Sequence, residues 1–197
     1  MANSKSHSMV RWLVESAVMI AIGTVLSNPP FKIDFPLGGG LTICSMLPLV
    51  LISWRYGTGR GLIAAAAYSL LQLVFGLDNV QYANSALMAA GIVLLDYIVP
   101  YTLIGLAGMF KGRTKDSRVG LVLGIVVAFL LRLACHFITG WMIWDALWPN
   151  EYGWTGPVYS ILYNGSYMLA EIVLTSIVAW ILYSTPLKRY FDGEDLK

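Results

Sequence analysis

From Val119 to Trp144 the chain is almost continuously apolar, yet it carries one full charge, Arg132, in its middle. About 20 apolar residues suffice to cross a bilayer as a helix. A charge at that depth costs at least about 2.5–3.5 kcal/mol on insertion scales, so such a residue faces a protein interior. This stretch therefore cannot stand alone in lipid and needs neighbours that enclose its polar side. Arg132, His136, Gly140 and Trp144 recur every four residues and are expected on one helix face. That face offers a cation, a titratable ring, a gap and a large aromatic surface.

Composition sets the solvent. Of 197 residues, 57% are hydrophobic and 12% charged, about half the charge fraction of soluble domains. The chain reads as an integral membrane protein of one domain, residues 1–197, without a cleavable signal sequence. Its two cysteines, Cys44 and Cys135, both lie in apolar runs and read as inert thiols; no metal-binding spacing occurs.

Six apolar segments are expected: Met9 to Leu26, Leu41 to Trp54, Gly61 to Phe75, Ala86 to Phe110, the opening stretch, and Pro157 to Tyr183. The second is short for a span, and the loop from Asn28 to Gly40 is expected to shield part of it. Asn28-Pro29-Pro30 ends the first segment, because proline cannot continue a helix. Gly38-Gly39-Gly40 lacks the Lys-Ser/Thr of a phosphate loop and reads as a hinge or a close backbone approach. Of 13 Lys and Arg, all but Lys32 and Arg132 fall at one set of segment ends: Lys5, Arg11, Arg55, Arg60, Lys111, Arg113, Lys115, Arg118, Lys188, Arg189 and Lys197. By the positive-inside rule that set is cytoplasmic. The expected fold is an all-α membrane protein with six transmembrane helices in one bundle and both termini cytoplasmic.

The ionisable groups inside the segments are Asp96, Arg132, His136 and Glu171, with Glu15 nearer an end. Segment direction places His136 to Trp144 in the outer half, with Tyr159, Tyr163, Asn164 and Tyr167; Asp96 and Tyr97 lie near mid-depth. Arg132 has two candidate ion-pair partners, Asp96 and Glu171. Trp148 and Trp154 read as interfacial aromatics. A carboxylate, several π faces and an amide suit a flat, cationic, heteroaromatic ligand, in a pocket open outward and closed inward. Ala17 with Ala21, and Gly120 with Gly124, are small-xxx-small pairs that let helices approach closely.

At these residues the chain resembles the thiamine-specific substrate-binding subunits of energy-coupling factor vitamin transporters. The similarity spans essentially the whole chain. It rests on Gly38-Gly39-Gly40-Leu41-Thr42 with Ser45-Met46-Leu47-Pro48, and on Tyr68-Ser69-Leu70-Leu71-Gln72. Leu95-Asp96-Tyr97, Arg132 with His136-Phe137 and Gly140, and Tyr159-Ser160 with Tyr163-Asn164-Gly165-Ser166-Tyr167 complete it. The resemblance implies ligand-binding roles for Asp96, Tyr97, Arg132, His136, Trp144, Tyr159, Tyr163 and Asn164, and for Tyr68 and Gln72 on the third segment. Asp96 would face the thiazolium and aminopyrimidine, His136 and Trp144 would sandwich the thiazolium, and Arg132 would stand near the hydroxyethyl end. The chain departs from the family where some members have Glu and Lys, here Asp96 and Arg132. The family's loop tryptophan is also unmatched, with Phe31 or Phe35 in its place.

The implied function is high-affinity thiamine binding by a multi-pass subunit of the cell membrane, without chemistry or cofactor of its own. There is no Walker motif, so uphill uptake would need two ATPases and a transmembrane coupling subunit, which Ala17 and Ala21 would meet. No nucleic-acid partner is expected. The rival readings are a subunit of the same class for another vitamin or a thiamine precursor, an autonomous secondary transporter, and an intramembrane enzyme. The second would show paired repeats or broken helices, and the third would need a nucleophile or metal cluster.

Overall fold

The computed structural model describes residues 2–196, with side chains from His7 on. Lys197 and the side chain of Lys5, both counted in the charge asymmetry, lie outside what is described. Helix α1, Ala2–Leu26, ends at the Asn28-Pro29-Pro30 turn, where the Pro29-Pro30 peptide is cis. Two three-residue strands follow, β1 (Lys32–Asp34) and β2 (Gly40–Thr42). They pair antiparallel with Ile33 opposite Leu41. After α2 (Leu47–Tyr56), α3 (Thr58–Phe75) and the short α4 (Leu77–Val80), the chain builds a composite rod. The rod consists of α5 (Ala86–Ile92), a π turn (Val93–Ile98), α6 (Val99–Leu103) and a 3₁₀ stretch (Ile104–Phe110). A second rod joins α7 (Ser117–Thr139), a π turn (Gly140–Trp144) and α8 (Asp145–Leu147). Helix α9 spans Gly156–Tyr183, and α10 (Lys188–Asp192) closes the described chain with a 3₁₀ turn at Glu194–Leu196.

Among the described residues five helical stretches are long and apolar enough to cross a bilayer. The second expected segment, Leu41 to Trp54, forms a helix shorter than its apolar run. Its first residues are strand β2, Cys44 sits at φ 56°, and Pro48 occupies the first turn of α2. Helix α2 keeps only 10 residues, about 15 Å of helix against a hydrocarbon core of about 30 Å. Leu47 through Arg55 are all buried, so α2 is a central strut rather than a lipid-facing span. Ser53 fixes it laterally: its hydroxyl donates to the Gly105 carbonyl (2.6 Å) and accepts from the Gly108 N–H (2.9 Å). Both groups belong to the 3₁₀ stretch, whose backbone pairing is poorer than that of an α-helix.

The core is built on Leu49, Val50, Trp54, Ile104, Leu121, Ile125 and Phe129. Gly124 lets α7 lie directly against the Ala107 carbonyl, where any side chain would collide. The lipid-facing sides carry Val14, Val18, Val74, Leu130, Val173 and Ile181, as expected where lipid replaces water.

The basic end of the bundle is tied by ions. Arg55, buried at the end of α2, donates to Glu15 of α1 (2.8 Å), to both carboxylate oxygens of Asp195 (2.8 and 3.0 Å) and to the Tyr190 carbonyl. Its guanidinium lies 3.9 Å over the Tyr190 ring, whose hydroxyl donates to Glu15 (2.8 Å). Arg11 joins through Glu15 and Asp195. The hydrogen bonds from Arg55 hold the Asp195 carboxyl well below the usual carboxylate range.

Candidate functional site

Both π turns stand at the end of the bundle opposite this ion cluster. The first has a local cause. Pro100 has no N–H for the carbonyl of Asp96, four residues earlier, and its ring would crowd that oxygen. The helix widens over Val93–Ile98 and presents Asp96 and Tyr97. The second, Gly140–Trp144, widens α7 where Gly140 meets Ser160 and Asn164 of α9, with no room for a Cβ. Such single π turns are rare and recur at functional sites.

The two turns face each other across Asp96. Its Oδ1 lies 3.2 Å from His136 Nδ1 and accepts from the Thr139 hydroxyl; its Oδ2 accepts from Trp144 Nε1 at 2.7 Å. No Lys or Arg pairs with this carboxylate among the described residues. His136 Nε2 is buried without a protein partner. A cavity of about 490 Å³ opens here, within the roughly 300–1,000 Å³ of small-molecule sites.

Of the sequence-predicted residues, Asp96, Tyr97, His136, Trp144, Tyr159, Tyr163 and Asn164 line the cavity. Asn164 is already engaged: its Nδ2 donates to the carbonyls of His136 and Ser160 (both 3.1 Å), and its Oδ1 accepts from the Tyr167 hydroxyl (2.9 Å). Tyr97 accepts from Asn79 Nδ2 (2.6 Å). Tyr159, Tyr163 and Tyr167 form an aromatic ladder with centroids 5.8 and 6.1 Å apart.

Three predicted residues lie elsewhere. Arg132 is buried and bound to Glu171 (2.7 Å), so of its two expected partners α9 supplies the one it meets. It also approaches Met46 Sδ (3.1 Å) and sits 4.8 Å over the Tyr101 ring. Tyr68 is fully buried, edge-on to Tyr101 at 5.7 Å. Gln72 donates to Ser27 Oγ (3.2 Å) and ties α3 to the end of α1. Tyr101 lines the cavity, so Arg132 and Tyr68 act as its underside. The shared face expected of Arg132, His136, Gly140 and Trp144 thus divides. Four-residue steps drift by about 40° each on an α-helix, which separates Arg132 from the residues nearer the π turn.

The loop after α1 covers the ladder. Leu37 accepts from the Tyr159 hydroxyl (3.2 Å). Gly38 and Gly39, at φ 101° and 72°, lie flat on Tyr163 and Tyr167, which realises the close backbone approach expected of the triglycine. Phe35 packs with Tyr163 against Leu133, Tyr167 and Met168. Trp148, expected at the bilayer interface, lines the cavity and stacks on Trp144 (5.7 Å, 10°). Sequence reasoning also missed Thr139, Tyr101, Ser160, Asn79 and Asp145. Thr139 was within reach, being one helical turn beyond His136.

The sequence matches the thiamine transporter protein (Thia_YuaJ) family over residues 13–190. The chain belongs to that family. Thiamine transporter ThiT of Bacillus subtilis (strain 168) is 30% identical, covering 92% of this chain and 94% of its own. Thiamine transporter ThiT of Lacticaseibacillus paracasei is 26% identical, covering 98% and 96%. The solved structure of ThiT from Listeria monocytogenes superposes with a TM-score of 0.72 at 23% identity, over 91% of this chain and 97% of that one. The fold of the family is thus the fold described here, and the chain is a multi-pass membrane protein of the transporter class, not an enzyme.

Proposed function

We propose that this chain binds thiamine as the substrate-binding subunit of an energy-coupling factor transporter. Its basic end is cytoplasmic and its cavity opens to the outside. One observation carries the ligand reading: Asp96 is a largely enclosed carboxylate with no Lys or Arg partner among the described residues, ringed by donors and aromatic faces. An uncompensated buried charge is costly, and Arg132 is committed to Glu171. A flat organic cation relieves that cost and gains from the π faces of Trp144 and the tyrosines. The relatives named thiamine transporters supply the identity of that cation. On the coupling side, Ala17 and Ala21 are exposed on α1, where small residues admit close helix approach. By resemblance their partner is the transmembrane coupling subunit, which two ATPases drive.

The deciding experiment is titration of tryptophan fluorescence on the purified chain with thiamine, its separate pyrimidine and thiazole halves, and other vitamins. Thiamine alone should quench at submicromolar concentration, about −8 kcal/mol or tighter. Equal quenching across the panel would remove the assignment.

A further inference from the structure

A second cleft, of about 440 Å³, lies at the basic end between the start of α7 and the end of α9. Its walls carry three cations, Lys115, Arg118 and Lys188, against one carboxylate, Asp116. That carboxylate is spent locally: it accepts the Arg118 backbone N–H (2.9 Å) and the Arg118 side chain through Nε and Nη2 (3.1 and 2.7 Å). The fork leaves Arg118 Nη1 without a partner among the described residues. Lys115 is exposed and makes no ion pair among them; the Lys188 ammonium rests 5.7 Å from the Tyr183 ring centroid. Three of the cleft hydroxyls are spent on protein acceptors, Tyr183 on the Asp192 carboxylate. Ser184 and Thr185 donate to the carbonyls of Trp180 and Leu182 that end α9. Apart from Ser117, the free donors of the cleft are thus cationic, and its net charge is positive.

The position selects the anion. The Arg118 guanidinium lies 4.8 Å over the ring of Trp180, a half-exposed tryptophan of the kind that marks a bilayer interface. Beyond it toward the apolar zone, Val119 and Leu123 of α7 and Ile177 of α9 are exposed. A phosphate seated among the cations would carry its acyl chains onto these residues.

We propose that this cleft binds the phosphate of an anionic phospholipid headgroup, a site separate from the ligand cavity. The shared chemistry is a singly charged phosphate, and free phosphate is the competing source. The test is native mass spectrometry of the full chain, released from micelles doped with phosphatidylglycerol or phosphatidylcholine of identical chains. Phosphatidylglycerol should be retained several-fold more. The Lys115→Gln/Lys188→Gln variant should lose that preference by fivefold or more, at about fivefold per basic residue near an anionic surface. Lys32→Gln, at the other end, should keep it. Helical circular dichroism of each variant separates a lost site from a lost fold. A less disruptive Lys188→Gln single change should show an intermediate preference. Equal retention of both lipids, or a preference untouched by the double substitution, overturns the proposal. So does displacement by millimolar inorganic phosphate without any phosphatidylglycerol preference, which would make this a free-phosphate cleft.

Discussion

At the scale of single residues, two buried carboxylates divide the labour. Glu171 neutralises Arg132 with both side chains almost fully buried, and it also accepts from the Thr42 hydroxyl. Asp96 has only neutral partners besides His136. Substitution should separate the two roles. Asp96→Asn keeps the shape and removes the charge. Thiamine affinity should fall by about 1.5–3 kcal/mol, the worth of a hydrogen bond to a charged group, with thermal stability retained. A neutral thiamine analogue should lose much less, and the double cycle gives the coupling; zero coupling would remove Asp96 from charge recognition. Glu171→Gln should instead destabilise the fold by about 3–5 kcal/mol, because it strands a buried guanidinium. Pairing it with Arg132→Met should recover most of that loss in a thermal melt. The sequence showed that Asp96, Arg132, His136 and Glu171 were interior. It left Arg132 a choice of two partners, because helix rotation and inter-helix distance are set by packing that no single segment encodes.

At the scale of elements, the long spans were legible because lipid demands uninterrupted apolar helix. The short α2 and the β1–β2 hairpin were less so. Their residues are as apolar as a span's, and the boundary is set by local backbone choices at Cys44 and Pro48. The π turns leave no mark in a 3.6-residue periodicity, although Pro100 four residues after Asp96 is a usable signal. The loop from Asn28 to Met46 behaves as a cover whose fit depends on the bare backbone at Gly38 and Gly39. Gly39→Val adds both a strained φ and a collision with Tyr167. It should cost about 1–3 kcal/mol of the loop's packing on the aromatic ladder, read in stopped-flow quenching as faster ligand release with the helices intact.

At the scale of the whole molecule, the two ends answer to different conditions. The basic end depends on Asp195, whose carboxyl the Arg55 hydrogen bonds depress. A depressed carboxyl stabilises above its unfolded pKa of about 3.9, and that contribution is lost as pH falls from there through the folded value. Hydrogen exchange in α10 should therefore rise below about pH 4 before exchange in α9 does, and Asp195→Asn should show the fast exchange already at neutral pH. Uniform protection down to acid unfolding would dissociate the tail from this charge. Ala21→Trp on the exposed face of α1 should abolish uptake in vesicles holding the full transporter, while thiamine still quenches the isolated subunit. The Arg55 cluster has a temporal side as well. It joins α1 to Asp195, with Arg11 and Asp195 separated by 184 positions along the chain. A ribosome delivers the first of these partners long before the last. Until α10 is made, Arg55 has Glu15 as its one carboxylate partner among those of the cluster. The arrival of Tyr190 and Asp195 is thus the event that completes the ion cluster at the basic end.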